Sequence, residues 1–272
     1  YKKYRAPKNR PSTNAENERY IKQVAENKIG KMPFTSLNSE ILQDYLMSLP
    51  RPNSRKKMYD IINAGIKKAQ ALGKLRLNPL ADVELPSVKP KRRRAFTWAE
   101  QTAMIGALRQ PYRDQLVFLF CTGLRFGELQ ALTANTFDFD DCSFYVHEQR
   151  AANAAVVAAP KTESSRRVVD YAPQLLELVS LDNVLKANYN AFKKYFKLAL
   201  ADLAISDLSP HCTRHTFASA AYKAGISDKQ IQAWLGHSTL SMTTDTYTHI
   251  MGGGTSVIRD YMRDLKAWIE DK

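Results

Sequence analysis

Between Asp82 and Ala95 the chain carries Pro86, Pro90 and the run Lys89 to Arg94, in which only Pro90 interrupts the charge. Prolines and a block of like charge end regular structure on either side, so the chain is expected to form two bodies joined here. The expected division is residues 1–85, a basic linker at 86–95, and residues 96–272. Charge divides at the same place. Up to Arg94 there are 22 Lys and Arg against 8 Asp and Glu, and beyond it 18 against 19, so the formal charge of +13 lies wholly in the N-terminal part. Such an excess points to a polyanionic partner. The basic residues are scattered over several elements, and no apolar run approaches ~20 residues, which disfavours a membrane. With 272 residues, 44% of them apolar and 25% charged, the chain has the length and composition for two soluble cores.

The N-terminal part reads as a small helical domain. Tyr1 to about Thr13, with Pro7 and Pro11, is expected to be an extended basic arm. Glu16 to Lys28, Asn38 to Leu49 and Ser54 to Leu72 follow as helices with apolar residues at three- and four-residue spacing, among them Ile41, Leu42, Tyr45 and Leu46. Gly73 and Asn78-Pro79 end the last of them. Three cysteines, Cys121, Cys142 and Cys212, form no CxxC and cannot all pair, which fits a reducing cytosol and small buried roles. The start at Tyr1 without an initiator Met reads as a fragment or processed chain, so a preceding N-terminal piece is expected.

The C-terminal part begins at Thr97, which with Glu100 forms a capping box ahead of helices Trp98 to Arg109 and Tyr112 to Cys121. After a turn at Gly123 a helix resumes over Phe126 to Leu132, with Arg125 at the turn and Glu128 one helical turn beyond it. Cys142 to Glu148, Ala154 to Ala159 and Arg166 to Tyr171 have the β-branched and aromatic content of strands, and a three-stranded antiparallel sheet is expected from them, with Lys161 near its second turn. Pro173 to Val179 and Val184 to Leu203 are again helical, with Ser180 to Asn183 as a short link.

Pro210 to His249 then concentrates phosphate-binding and acid–base side chains: His211-Cys212-Thr213-Arg214-His215, Trp234-Leu235-Gly236-His237 and Tyr247-Thr248-His249. Pro210 suits a first helical turn and Gly225 a stop, with Phe217, Ala218, Ala221 and Tyr222 as the apolar stripe between them. His211 and Arg214 then lie one turn apart on one helix face. Ser227 and Gln230 make a second capping box, ahead of a helix that buries Ile231, Trp234 and Leu235 and ends at Gly236. Beyond Gly252-Gly253-Gly254, Val257 to Ile269 reads as an amphipathic tail helix.

These clusters resemble the C-terminal signature of the tyrosine recombinase (phage integrase) family: a His-x-x-Arg-His helix, then Leu-Gly-His, then Tyr-x-His. Two upstream boxes match as well. Thr122-Gly123-Leu124-Arg125-Phe126-Gly127-Glu128 looks like the first-arginine box, and Pro160-Lys161-Thr162 followed by Ser165-Arg166-Arg167 looks like the hairpin that carries the lysine. Four boxes in order, over about Phe96 to His249, make the resemblance specific; the one departure is Cys212-Thr213, where many members have an apolar residue before the arginine. The resemblance implies a mainly α fold with a small antiparallel β-sheet (α+β), a helical core-binding domain and a catalytic domain. It also implies cleavage and rejoining of double-stranded DNA through a 3′-phosphotyrosyl intermediate, with no cofactor, neither metal nor ATP.

In that reading Tyr247 is the nucleophile, Arg125, Arg214 and His237 stabilise the nonbridging oxygens, His211 is the base, Lys161 the acid, and Glu128 orients Arg125 and His211. His215 is expected to be packed and structural. Arg51, Arg55, Lys56 and Lys57, with Lys67 and Lys68, are expected phosphate contacts, and Lys91, Arg92, Arg93 and Arg94 a strap along the backbone. The partners implied are DNA recombination sites, a homotetramer on DNA joined through the tail helix, and accessory DNA-bending or directionality proteins, in the cytoplasm at the nucleoid. Three other readings compete with it. A zinc site from His211, Cys212, His215 and His237 is opposed by Arg214 among its ligands. A silent DNA-binding protein is opposed by the intact residue set, and a type IB topoisomerase by the compact size and the tail.

Overall fold

Pro11 opens the first helix rather than belonging to an extended arm. Proline lacks an N–H, which the first turn does not need, and its φ is already helical. In this computed structural model residues 3–9, 11–87, 94–150, 157–158 and 166–236 are described, and the chain forms two compact units, Tyr1–Lys91 and Arg92–Lys272. Ahead of Pro11, residues Ala6–Lys8 make a 3₁₀ turn. Asn14 donates to the Ala6 carbonyl at 2.9 Å and Lys68 sits 4.3 Å from the centre of the Tyr4 ring, so side-chain contacts hold this segment where an arm was expected.

The first unit contains α1 (Pro11–Glu26), α2 (Lys28–Lys31), α3 (Ser39–Ser48) and α4 (Pro52–Ala71). Asn38 caps α3 by accepting from the Ile41 N–H at 2.9 Å. The apolar stripes predicted from spacing meet in one core of Tyr20, Leu42, Tyr45, Leu46, Met58 and Ile66, closed by Leu80. Gln43 donates to the Glu84 carbonyl at 2.9 Å and accepts from the Glu84 N–H at 3.0 Å, as a neighbouring strand would, and this pins the outgoing chain to α3.

The second unit starts where predicted. Thr97 and Glu100 form the reciprocal capping box of α5 (Trp98–Ala107). Then come α6 (Tyr112–Thr122), whose Leu116 to Phe120 are all buried, and α7 (Phe126–Leu129), shorter than the Phe126 to Leu132 expected. Among the described residues the strands are β1 (Phe137–Asp138), β2 (Ser143–Val146), β3 (Gln149–Arg150), β4 (Val157–Ala158) and β5 (Arg167–Asp170). The expected sheet is corrected here: its order is β1-β2-β5, antiparallel, while β4 pairs with β3 in a separate ribbon. Asp138 accepts from the N–H groups of Asp140 and Asp141 at 3.1 and 3.0 Å, folding a tight turn that lays β1 on one edge of β2. β5 takes the other edge, Phe144 opposite Val169 and Val146 opposite Arg167, so β2 has no edge left for β4.

Helices α8 (Leu175–Leu178), α9 (Leu181–Leu185) and α10 (Tyr189–Asp202) follow. The short link expected at Ser180 to Asn183 is not a loop. It is the start of α9, held by the buried Asp114 carboxylate, which accepts from the Ser180 N–H at 3.1 Å and from Asn183 at 2.8 Å. Asn188 caps α10 through the Ala191 N–H at 3.1 Å, so the single helix expected over Val184 to Leu203 is divided. The last two helices among the described residues, α11 (Cys212–Lys223) and α12 (Asp228–Leu235), pack Ala218, Ala221, Ile231 and Leu235 together; both are followed by glycines in left-handed backbone, Gly225 at φ +74° and Gly236 at φ +63°. Among the described residues no helix is long and apolar enough to cross a membrane. The three cysteines are free thiols, and burial pushes Cys121 up to about 12.

Candidate active site

The turn between α6 and α7 organises the site. Gly123 has φ +64°, and a Cβ there would fall 2.4 Å from the Phe217 ring, so both backbone sign and space demand glycine. Four residues on, a Cβ on Gly127 would lie 2.6 Å from the Arg150 carbonyl, so the β3–β4 ribbon rests directly on α7. Between these glycines the backbone N–H of Arg125 donates to Glu128 Oε2 at 2.9 Å, and Arg125 Nη1 donates to Glu128 Oε1 at 2.7 Å. Glu128 is 2% exposed, whereas the Arg125 side chain keeps 32% of its surface open.

A second arginine, from β5, meets the same carboxylate. Arg167 Nη2 donates to Glu128 Oε2 at 2.9 Å and Nη1 to Oε1 at 3.2 Å, while its Nε donates to the carbonyl of Trp234 on α12. A third, the buried Arg214 of α11, donates from Nη1 to the Gly123 carbonyl at 3.0 Å and from Nη2 to the Leu235 carbonyl. Burial alone would raise the pKa of Glu128. The charge and hydrogen bonds of Arg167, then the charges of Arg125 and Arg214, outweigh it and hold the carboxyl at about 2. Sequence reading expected Glu128 to orient Arg125 and His211; the structure pairs it with Arg125 and Arg167. Arg167 was missed as a site residue. The signal lay in the alternation of β5, whose Arg167 and Val169 point inward while Val168 and Asp170 point out, which puts a charge on the core-facing side of a strand.

His211 is the residue before the first turn of α11 and is exposed, while Arg214 is buried. It stands edge-on to His215, ring centres 5.2 Å apart, and lines a cavity of about 230 Å³ with Phe126, Gly127, Gln130, Arg150, Tyr189 and Pro210. Cys212, a ligand in the zinc alternative, packs instead in the core and accepts from the Ser209 N–H at 3.4 Å. Ser227 accepts from the Gln230 N–H at 3.3 Å at the head of α12, and Trp234 donates from its ring nitrogen to Asp170 at 2.8 Å. Lys161, His237, Tyr247, His249 and the tail at Val257 to Ile269 lie outside the described residues.

Of the expected phosphate contacts, Arg51 and Lys56 are exposed near the start of α4. Arg55 donates to the Leu49 carbonyl at 2.8 Å and closes the end of α3, Lys57 pairs with Glu16 at 3.4 Å, and Lys68 lies on Tyr4. Arg94 forms a two-point bond with Glu100, at 2.7 and 2.6 Å, next to the Thr97 cap. That bond, above all, lowers Glu100 to about 2. Lys91, Arg92 and Arg93 lie outside the described residues.

The two depressed carboxyls predict an acid response. A group held below its ordinary value of 4.5 contributes its stabilisation above that pH and loses it as pH falls towards about 2. Urea midpoints measured from about pH 5 down to about pH 3 should therefore fall, and Glu128→Gln should flatten the fall. A variant with the wild-type slope would show that Glu128 is not held by its arginines.

Residues 96–252 match the phage integrase family. The integrase of Mycobacterium phage L5 is 25% identical over 239 residues, covering 79% of this chain and 64% of that protein. The tyrosine recombinase XerD of Halalkalibacterium halodurans is 28% identical over 207 residues, covering 70% of this chain and 66% of that protein. The chain thus spans just under two thirds of the length of these relatives. In fold it is similar to the Tn1549 transposon integrase solved in complex with a circular intermediate DNA, with a TM-score of 0.72, 20% identity and 94% of each chain covered. The matched segment takes in more than half of the residues and runs from the capped start of α5 past α12, through Arg125, Glu128, Arg167 and Arg214, and on that ground the chain belongs to the phage integrase family.

Proposed function

We propose that the chain is a site-specific recombinase that cuts double-stranded DNA and rejoins it through a 3′-phosphotyrosyl bond to Tyr247, with neither metal nor nucleotide cofactor. The observation that carries this reading is the surrounding of Glu128. One buried carboxylate has Arg125 and Arg167 on its oxygens and feels the charge of Arg214, so three forked donors are gathered around a single carboxylate. Such donors match the paired oxygens of a phosphodiester.

In the proposed reaction the Tyr247 oxygen attacks phosphorus and its proton passes to His211. The bond to the 5′-oxygen breaks, and that oxygen takes a proton from Lys161. Arg125, Arg214 and His237 stabilise the nonbridging oxygens while five groups surround phosphorus. Glu128 keeps Arg125 in place. Because the phosphotyrosyl bond retains the energy of the phosphodiester, attack by a 5′-hydroxyl of another strand reverses the step and joins new partners. The proposed setting is a mobile element or prophage, with two DNA sites held in a tetramer joined through the tail helix, at the nucleoid.

A duplex nicked close to the cleavage point loses its 5′-hydroxyl end by diffusion and traps the intermediate. We expect an adduct stable to SDS, in equal amount with and without EDTA. Cleavage that stops on chelation and leaves free ends would overturn the reading.

A further inference from the structure

Arg167 has no step in the reaction above, yet it joins three elements: it leaves β5, meets Glu128 on α7 and bonds the Trp234 carbonyl on α12. We infer that Arg167 is a positioning residue for strand cleavage, which holds Glu128 in a two-arginine arrangement so that Arg125 remains available to phosphate, and fixes the end of α12 to the same group. The inference rests on the recombinase reading.

Both Glu128 oxygens are shared. Oε1 receives Arg125 Nη1 at 2.7 Å and Arg167 Nη1 at 3.2 Å, and Oε2 receives the Arg125 backbone N–H at 2.9 Å and Arg167 Nη2 at 2.9 Å. A carboxylate relieved of Arg167 turns more of its charge and both oxygens on Arg125, the one of the pair with an open surface. It then competes with phosphate for the same N–H groups, because bidentate carboxylate and bidentate phosphate use one fork. Arg167 prevents this by occupying the carboxylate from the buried side, where its own side chain is 5% exposed.

Consecutive carbonyls at the end of α12 are held by two of the site's arginines, Trp234 by Arg167 and Leu235 by Arg214. β5 also grips residue 234 a second time, through the bond from its ring to Asp170. The last turn of α12, two residues before His237 in sequence, is thereby registered against Glu128 and Arg125. Stability alone does not require a buried ion pair here, since a packed apolar pair of similar volume is often as stable. The geometric linkage is what only a five-donor planar group supplies.

The test is single-turnover adduct formation on the nicked duplex at saturating protein, with Arg167→Met and Arg167→Lys, on an ordinary phosphate and on a neutral methylphosphonate at the cleavage point. Removing an oxyanion donor costs on the order of 10² to 10³, and displacing one costs less, so Arg167→Met should slow the step by about 10- to 100-fold with DNA affinity nearly unchanged. Arg167→Lys, able to pair with Glu128 but not to bond Trp234 as well, should lie between. Both defects should shrink on the methylphosphonate, whose missing charge lessens the need for Arg125. A folded Arg167→Met protein with the wild-type rate overturns the inference, as does a defect of equal size on both substrates, which marks a structural role. If the Met variant does not fold, the Lys variant decides by the same comparison. No adduct from the wild-type chain would instead overturn the recombinase reading itself.

Discussion

Tyr247→Phe is expected to bind the same DNA as the wild-type chain and to form no covalent adduct with it. The substitution keeps the ring and removes one oxygen, so contacts that hold the duplex through arginine and lysine are untouched, while the atom that would bond to phosphorus is gone. A phenol of pKa ~10 is a weak nucleophile at neutral pH until a base takes its proton, and no water held in its place makes a phosphotyrosyl bond. The readout is a gel shift for binding and an SDS-stable band for the adduct. A residual adduct in the Phe variant would place the nucleophile on another residue. Cleaved DNA without an adduct would make water the nucleophile, and the chain a hydrolase.

Arg214→Ala is expected to lose both rate and stability, and Arg214→Lys to recover little of either. The guanidinium bonds the Gly123 carbonyl at 3.0 Å and the Leu235 carbonyl, and it is 2% exposed. Truncation leaves those carbonyls buried without these donors, at about 1 to 3 kcal/mol each, a large part of the roughly 5 to 15 kcal/mol that holds a domain together. If Arg214 also stabilises the nonbridging oxygens, adduct formation should fall by about 10² to 10³. Lysine brings one compact ammonium in place of a fork and cannot span both carbonyls and a phosphate. Urea unfolding and single-turnover rates on the nicked duplex separate the two effects. A Lys variant within about threefold of the wild-type rate would remove Arg214 from the oxygens.

The local signals in the chain translated directly into structure. Thr97 and Glu100 cap α5 as their spacing predicts, Ser227 caps α12, and Gly225 and Gly236 end the helices before them in left-handed backbone. The apolar stripes of α3, α4, α11 and α12 became core. Where the local reading failed, a residue had two local meanings: Pro11 can end an arm or begin a helix, and the bond from Asn14 to Ala6 together with Lys68 on Tyr4 accompanies the second.

The misses with consequences for the site were all between distant segments. β-Branched and aromatic content identified β4 and β5 as strands but not which edge each would take. Glu128 and Arg167 are 39 positions apart, and Asp114 holds the start of α9 from 66 positions away. The sequence by itself determined most of the described helices, their caps, the split in charge and the boxes of the family signature, because each depends on a few neighbouring dihedrals or on residue type alone. Tertiary structure alone decided the β1-β2-β5 order and the sharing of Glu128 between Arg125 and Arg167. A strand edge or a buried carboxylate takes its partner from whichever edges and cations core packing brings within about 3 Å, and that competition is settled only when the chain has folded.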